Sequence, residues 1–180
     1  MPRFAGRPEN SSHAPHRIAL IGFMGSGKTT VGRLVASRLG YRFLDLDVLI
    51  TENAGKSIRE IFDEDGEEVF RRIESDALYS VREMNRLVIA TGGGAPIRQE
   101  NQEFFENLAA TFYLEVSFKE FINRAGLDPA RPLLDQSKKN LEKLYKSRLP
   151  IYRGLGQRVI TDSRAPQEIA AEILKKLSSS

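Results

Sequence analysis

The chain is 180 residues long and 41% hydrophobic, with 14 Gly, 8 Pro and no Cys. One domain of that length buries roughly 70% of the surface its unfolded chain exposes, so it needs neither disulfides nor a structural metal. The lack of Cys removes thiol nucleophiles and Cys-based zinc sites and suits a reducing cytoplasm. The 27 basic and 24 acidic residues, net +3, are mixed along the chain with no basic run interleaved with aromatics, which argues against a nucleic-acid partner. No stretch approaches the ~18 apolar residues of a membrane span.

The opening MPRFAGRPENSSHAPH has basic residues but no apolar core of a signal sequence, and its Pro, Ser, Asn and Gly without periodicity predict a disordered tail over residues 1–16. His13 and His16, the only histidines, lie in it and receive no catalytic role. From Arg17 onward, apolar or β-branched runs alternate with amphipathic stretches, the pattern of an α/β fold in one domain over residues 17–180. Strands are predicted at Arg17 to Ile21, Arg42 to Leu46, Leu87 to Ala90, Thr111 to Glu115 and Arg158 to Thr161.

The first strand runs into GFMGSGKT, Gly22 to Thr29, which matches GxxxxGK[ST] and is followed by the helical TVGRLVASRL. That context makes the match a phosphate site. The glycines let successive amides turn inward as an anion nest at the positive end of the next helix. Gly25, Ser26, Gly27 and Thr30 belong to this cradle. Lys28 would reach the β and γ phosphates of ATP, and the Thr29 hydroxyl would ligate Mg²⁺.

The second strand ends in FLDLD, where a period of two would send Asp45 and Asp47 to the same side, near the strand's carboxyl end. One could orient Mg²⁺ through water and the other could orient or accept the proton of an attacking hydroxyl. The plainer alternative is that one only caps the next helix. Ser57 with Glu60, and Ser117 with Glu120, form capping-box patterns that start helices near Ile58 and Phe118.

In FRRIE, Arg71 and Glu74 stand three apart on a predicted helix. They are either an exposed ion pair or an arginine held by Glu74 to receive a carboxylate. The third strand ends in TGGGA, and Gly92, Gly93 and Gly94 in succession suggest backbone lying directly against a ligand, with a flexible turn as the alternative. Thr91 stands where many P-loop enzymes carry an acid, which leaves Asp45 as the candidate metal carboxylate. Ala125 to Pro132, with Gly and two prolines, reads as a lid-type loop or an ordinary connection, and the last helix, after Pro166, carries Ile169, Ile173 and Leu177 on one face.

The combination GFMGSGKTT, FLDLD, FRRIE, TGGGA, RPLL and RLPIY, in this order from about Arg17 to Leu177, resembles the shikimate kinase family. The resemblance implies a three-layer α/β/α P-loop fold with a five-stranded parallel sheet of order 2-3-1-4-5 and a lid at about residues 125–135. It also implies transfer of the ATP γ-phosphoryl group to the 3-hydroxyl of shikimate, on the route to chorismate. With no Cys, no sustained heptad and no evident unpaired apolar surface, a cytoplasmic monomer is expected. Lys28, Asp47 and Arg131 would then be catalytic, Asp47 meeting the substrate hydroxyls and Arg131 closing on the phosphates. Arg71 and Arg148 would clamp the substrate carboxylate, with Gly93 and Gly94 against the ring substituents. Arg124 and Pro166, with Arg164 nearby, would flank adenine. Rival readings are a kinase of gluconate or of an aminated ring analogue, a nucleoside monophosphate kinase, and a non-catalytic sensor on the same fold.

Overall fold

The computed structural model describes residues 15–108, 110–125 and 138–179. The expected tail, but for Pro15 and His16, and the expected lid, but for Ala125, lie outside these residues, as does Arg131. Five strands, β1 (Arg17–Ile21), β2 (Arg42–Asp45), β3 (Leu87–Ala90), β4 (Ala110–Glu115) and β5 (Gln157–Ile160), form one parallel sheet of order β2-β3-β1-β4-β5. The helices among the described residues are α1 (Lys28–Leu39), α2 (Leu46–Ala54), α3 (Ile58–Glu64), α4 (Glu67–Ser80), α5 (Gln99–Glu106), α6 (Phe118–Ala125), α7 (Lys138–Leu155) and α8 (Pro166–Ser178), with a 3-10 turn at Ala95–Ile97.

Period-two alternation in the strands splits the core between the two faces of the sheet. Ile18 and Leu20 of β1, Val88 of β3 and Phe112 and Leu114 of β4 meet Val31 and Val35 of α1 and Ile169 and Ile173 of α8. Ala19 and Ile21, Ile89 and Tyr113 point the other way, into a larger core with Leu46, Ile50, Phe70, Phe105, Phe121 and Tyr152. The three inner strands are therefore buried over nearly their whole length, and the edge strands β2 and β5 are more exposed.

Local signals place the helix starts. The Ser57 hydroxyl accepts from the Glu60 amide at 3.2 Å while Glu60 Oε2 accepts from the Ser57 amide at 2.7 Å, a complete capping box worth about 1 kcal/mol. At α6 the Ser117 hydroxyl accepts from the Glu120 amide at 3.2 Å. Pro166 opens α8, where its missing N–H costs no helical bond.

One expectation fails locally. Leu46 does not end the second strand but begins α2, so Asp45 and Asp47 are not two residues of one strand. Asp45 is the N-cap, its Oδ1 accepting from the Asp47 amide at 3.1 Å, and Asp47 sits in the first helical turn. The capping bond competes successfully with strand continuation because it satisfies an amide that the new helix would otherwise orphan. Similarly, β5 ends one residue early, and Thr161 is already past the strand.

Candidate active site

Parallel strands put β1, β2 and β3 carboxyl ends side by side, and the loops that follow them converge there. After β1, Gly25 and Gly27 take φ values of 72° and 91°, a left-handed backbone that L side chains rarely adopt, and Gly27 caps α1. The fully buried Ser26 anchors the loop. Lys28 Nζ donates to the carbonyls of Gly22 and Phe23, each at 2.9 Å, and so spans the loop it belongs to.

Thr29 Oγ1 donates to Asp45 Oδ2 at 2.6 Å. Asp45 thus has one oxygen on the α2 cap and the other on the threonine at the loop's mouth. A hydroxyl and a carboxylate oxygen brought together beside a phosphate nest are hard oxygen donors that fit Mg²⁺. Among the described residues no group of three His, Cys, Asp or Glu forms a metal cage. Thr30 is exposed on the first turn of α1.

The triple glycine after β3 is where the remaining groups meet. A Cβ on Gly92 would lie 2.7 Å from Asp47 Oδ1 and 2.8 Å from Glu74 Oε1. One on Gly93 would come within 3.4 Å of the Gly22 carbonyl, and one on Gly94 would strike the Arg71 guanidinium, with Cζ at 2.6 Å. Each missing side chain therefore makes room for a different protein group. In order along the turn these are two carboxylates, the phosphate loop and an arginine.

Arg71 is no surface ion pair. Its Nη1 lies 2.8 Å from Oε2 of Glu74, whose side chain is only 1% exposed, and its Nη2 lies 3.2 Å from Glu67. Burial pushes the Glu74 carboxyl above its ordinary value, against the opposing pull of Arg71. Arg148 comes from α7, buried, with Cζ 5.8 Å from the Phe23 ring centre and Nη1 donating to the Gly93 carbonyl at 3.3 Å. Its Nε is buried with no acceptor among the described residues. A buried guanidinium N–H in that state is costly unless a ligand supplies the acceptor. The space between these arginines is a cavity of about 320 Å³ lined by Glu67, Glu68, Arg71, Gly94, Arg98 and Arg148 among others.

Arg124 of α6 ties the phosphate loop to the end of β5, donating to Gly25 O at 3.2 Å and Thr161 O at 3.0 Å while paired with Glu120 at 2.8 Å. Arg164 gives its guanidinium to the Ile160 carbonyl at 2.9 Å and to Glu172 of α8 at 2.7 Å, and Pro166 stands at the helix start. Arg124 and the turn bearing Arg164 are thus linked through Thr161. Arg131 lies outside the described residues.

Three residues of the site were not singled out by sequence. Tyr152 donates to Gly93 O at 2.6 Å, Phe23 lies under Arg148, and Arg98 lines the cavity. A signal existed for Tyr152, which is four residues after Arg148 in RLPIY and so shares its helix face.

A family model described as Shikimate kinase matches residues 24–178. The shikimate kinase of Moorella thermoacetica is 41% identical over 164 residues, covering 91% of this chain and 95% of that protein. A solved structure, shikimate kinase from Acinetobacter baumannii in complex with shikimate, superposes with a TM-score of 0.88 at 36% identity, covering 93% of this chain and 95% of the other. A gluconokinase from Sinorhizobium meliloti, with a TM-score of 0.61 at 20% identity, covers 93% of this chain and 94% of its own and speaks to the fold alone.

Proposed function

Because this chain belongs to the shikimate kinase family, we propose that it transfers the γ-phosphoryl group of ATP to the 3-hydroxyl of shikimate, giving ADP and shikimate 3-phosphate. The observation that carries this reading is the turn Gly92 to Gly94, which packs against Asp47, the phosphate loop and Arg71 in succession, with Arg148 on its carbonyl. An acid with ring hydroxyls needs cationic groups at one end and a carboxylate at the other, beside a phosphate cradle. That is the order of groups along this turn.

In the proposed division of labour, Arg71 and Arg148 take the substrate carboxylate, Arg148 Nε finding there the acceptor that no described residue supplies. Gly93 and Gly94 present backbone to the ring. Asp47 orients the attacking hydroxyl and receives its proton as the oxygen bonds to the γ phosphorus and the bond to the bridging oxygen breaks. The amides of Gly25, Ser26, Gly27, Lys28 and Thr29, with Thr30 beyond them, hold the phosphates, and Lys28 turns its charge to the β and γ groups. Arg131 is assigned to the phosphates and the transferring group, and Arg124, Arg164 and Pro166 to the adenine. Thr29 and Asp45 would hold Mg²⁺, which when bound neutralises phosphate charge.

The same proposal makes the protein a cytoplasmic monomer. In support, no helix among the described residues is long and apolar enough to cross a membrane. The large hydrophobics strongly exposed among those residues are two, Val48 and Ile160, each 47% accessible. Coupled detection of ADP release with shikimate, gluconate and a nucleoside monophosphate offered in parallel with Mg-ATP tests the reading. Turnover is expected with shikimate, and its absence there sinks the assignment.

A further inference from the structure

Among the described residues three arginines line the cavity beside the triple glycine, and the proposed division of labour uses Arg71 and Arg148. The third, Arg98, follows the 3-10 turn four residues after Gly94 and stands at the N-cap position of α5 without a side-chain capping bond. Its guanidinium lies 3.1 Å from Glu68 on α4 and 2.8 Å from Glu100. The three differ in how firmly they are held. Arg71 is locked onto Glu74, whose side chain is 1% exposed, and Arg148 is itself buried. Arg98 is 25% exposed, and its partners Glu68 and Glu100 are 84% and 54% exposed.

Ion pairs with such exposed carboxylates are weak, because water and salt compete for both partners. Arg98 can therefore exchange Glu68 for another anion at little cost, whereas Arg71 cannot leave Glu74 without stranding a buried carboxylate. An exchangeable cation at the cavity's outer wall attracts an anionic ligand before the buried arginines fix it.

Resting on the reading that the acceptor is an anionic ring acid, we propose that Arg98 is a substrate-capture residue, held in waiting by Glu68 and released to the acceptor's carboxylate as it enters. Glu68 then competes with the substrate for Arg98, so the two residues act on affinity with opposite signs. A cross-brace between α4 and the start of α5 would instead make them act alike, since removing either end breaks the same bond.

The test is steady-state kinetics of the full chain with shikimate varied at saturating Mg-ATP. Arg98→Gln should raise the shikimate KM about threefold or more with the ATP KM little changed, Arg98→Lys should recover most of that loss, and Glu68→Gln should lower the shikimate KM. The Arg98→Gln effect should shrink as KCl rises from roughly 50 to 500 mM. Comparable thermal midpoints would confirm that the variants are folded. An unmoved KM in Arg98→Gln, or equal rises in Arg98→Gln and Glu68→Gln, overturns the capture role alone. No shikimate-dependent turnover by the wild-type chain overturns the functional reading and the capture role with it.

Discussion

Arg148 and Tyr152, one helical turn apart on α7, both donate to the carbonyl of Gly93, at 3.3 and 2.6 Å. The tyrosine is buried and stacked on Tyr113 at 5.2 Å between ring centres, and burial pushes its hydroxyl up to about 12, so it remains a donor at any working pH. Two donors on one oxygen fix the glycine turn to α7 and orient the arginine beside it. If Arg148 clamps the substrate carboxylate, Arg148→Ala should weaken shikimate binding by about 2 kcal/mol or more and leave ATP binding little changed. Titrating each ligand separately checks this, and an unchanged shikimate titration refutes the placement.

Asp47 shares the space beside Gly92 with Glu74. If Asp47 orients the attacking hydroxyl, Asp47→Asn should lower turnover by at least ~100-fold while ATP still binds. Normal turnover in the variant would remove Asp47 from the chemistry.

Gly94 has φ −89° and ψ −29°, a backbone that alanine adopts without strain. Its added methyl would nonetheless collide with the Arg71 guanidinium. Gly94→Ala should therefore leave ATP binding intact and raise the shikimate KM about tenfold or more, because a displaced clamp misplaces the acceptor. An unmoved shikimate KM would mean that Arg71 shifts freely and is not part of the clamp.

Glu74 makes stability depend on pH. Its carboxyl titrates above the ordinary 4.5, chiefly through burial, with Arg71 opposing. The folded chain thus holds this proton more tightly than the unfolded one, so the contribution is full below the unfolded pKa and is lost as pH rises through the folded value. Glu74→Gln has no such titration. The wild-type midpoint minus the variant midpoint should fall as pH rises through the range above about 4.5, measured by thermal unfolding of both proteins. A gap that widens with pH would mean that the charged pair with Arg71 outweighs burial.

How far the sequence could be read depended on the range of the interactions involved. The phosphate loop is local, with strand, glycines, Lys28, Thr29 and helix in one short stretch, and it formed where it was read. The capping box at Ser57 is likewise complete within four residues. The geometry of Asp45 and Asp47 is less legible because strand periodicity and helix capping compete over the same residues, and burial of Leu46 and Ile50 on the inner face of α2 decides between them.

By itself, then, the sequence determined the order of elements, the phosphate cradle and the inventory of charged groups, since these follow from apolar periodicity and from spacings of a few residues. Only the tertiary structure decided which groups face one another. The sheet order set β3 between β1 and β2, so the glycines after β3 meet the loop after β1 and Asp47 beyond β2. The packing of α4 and α7 then carried Arg71 and Arg148 onto that same turn, across chain separations that no local pattern records. Burial also turned Arg71 and Glu74 from an ordinary helical ion pair into a held guanidinium, because a carboxylate shut away from water depends on the cation beside it.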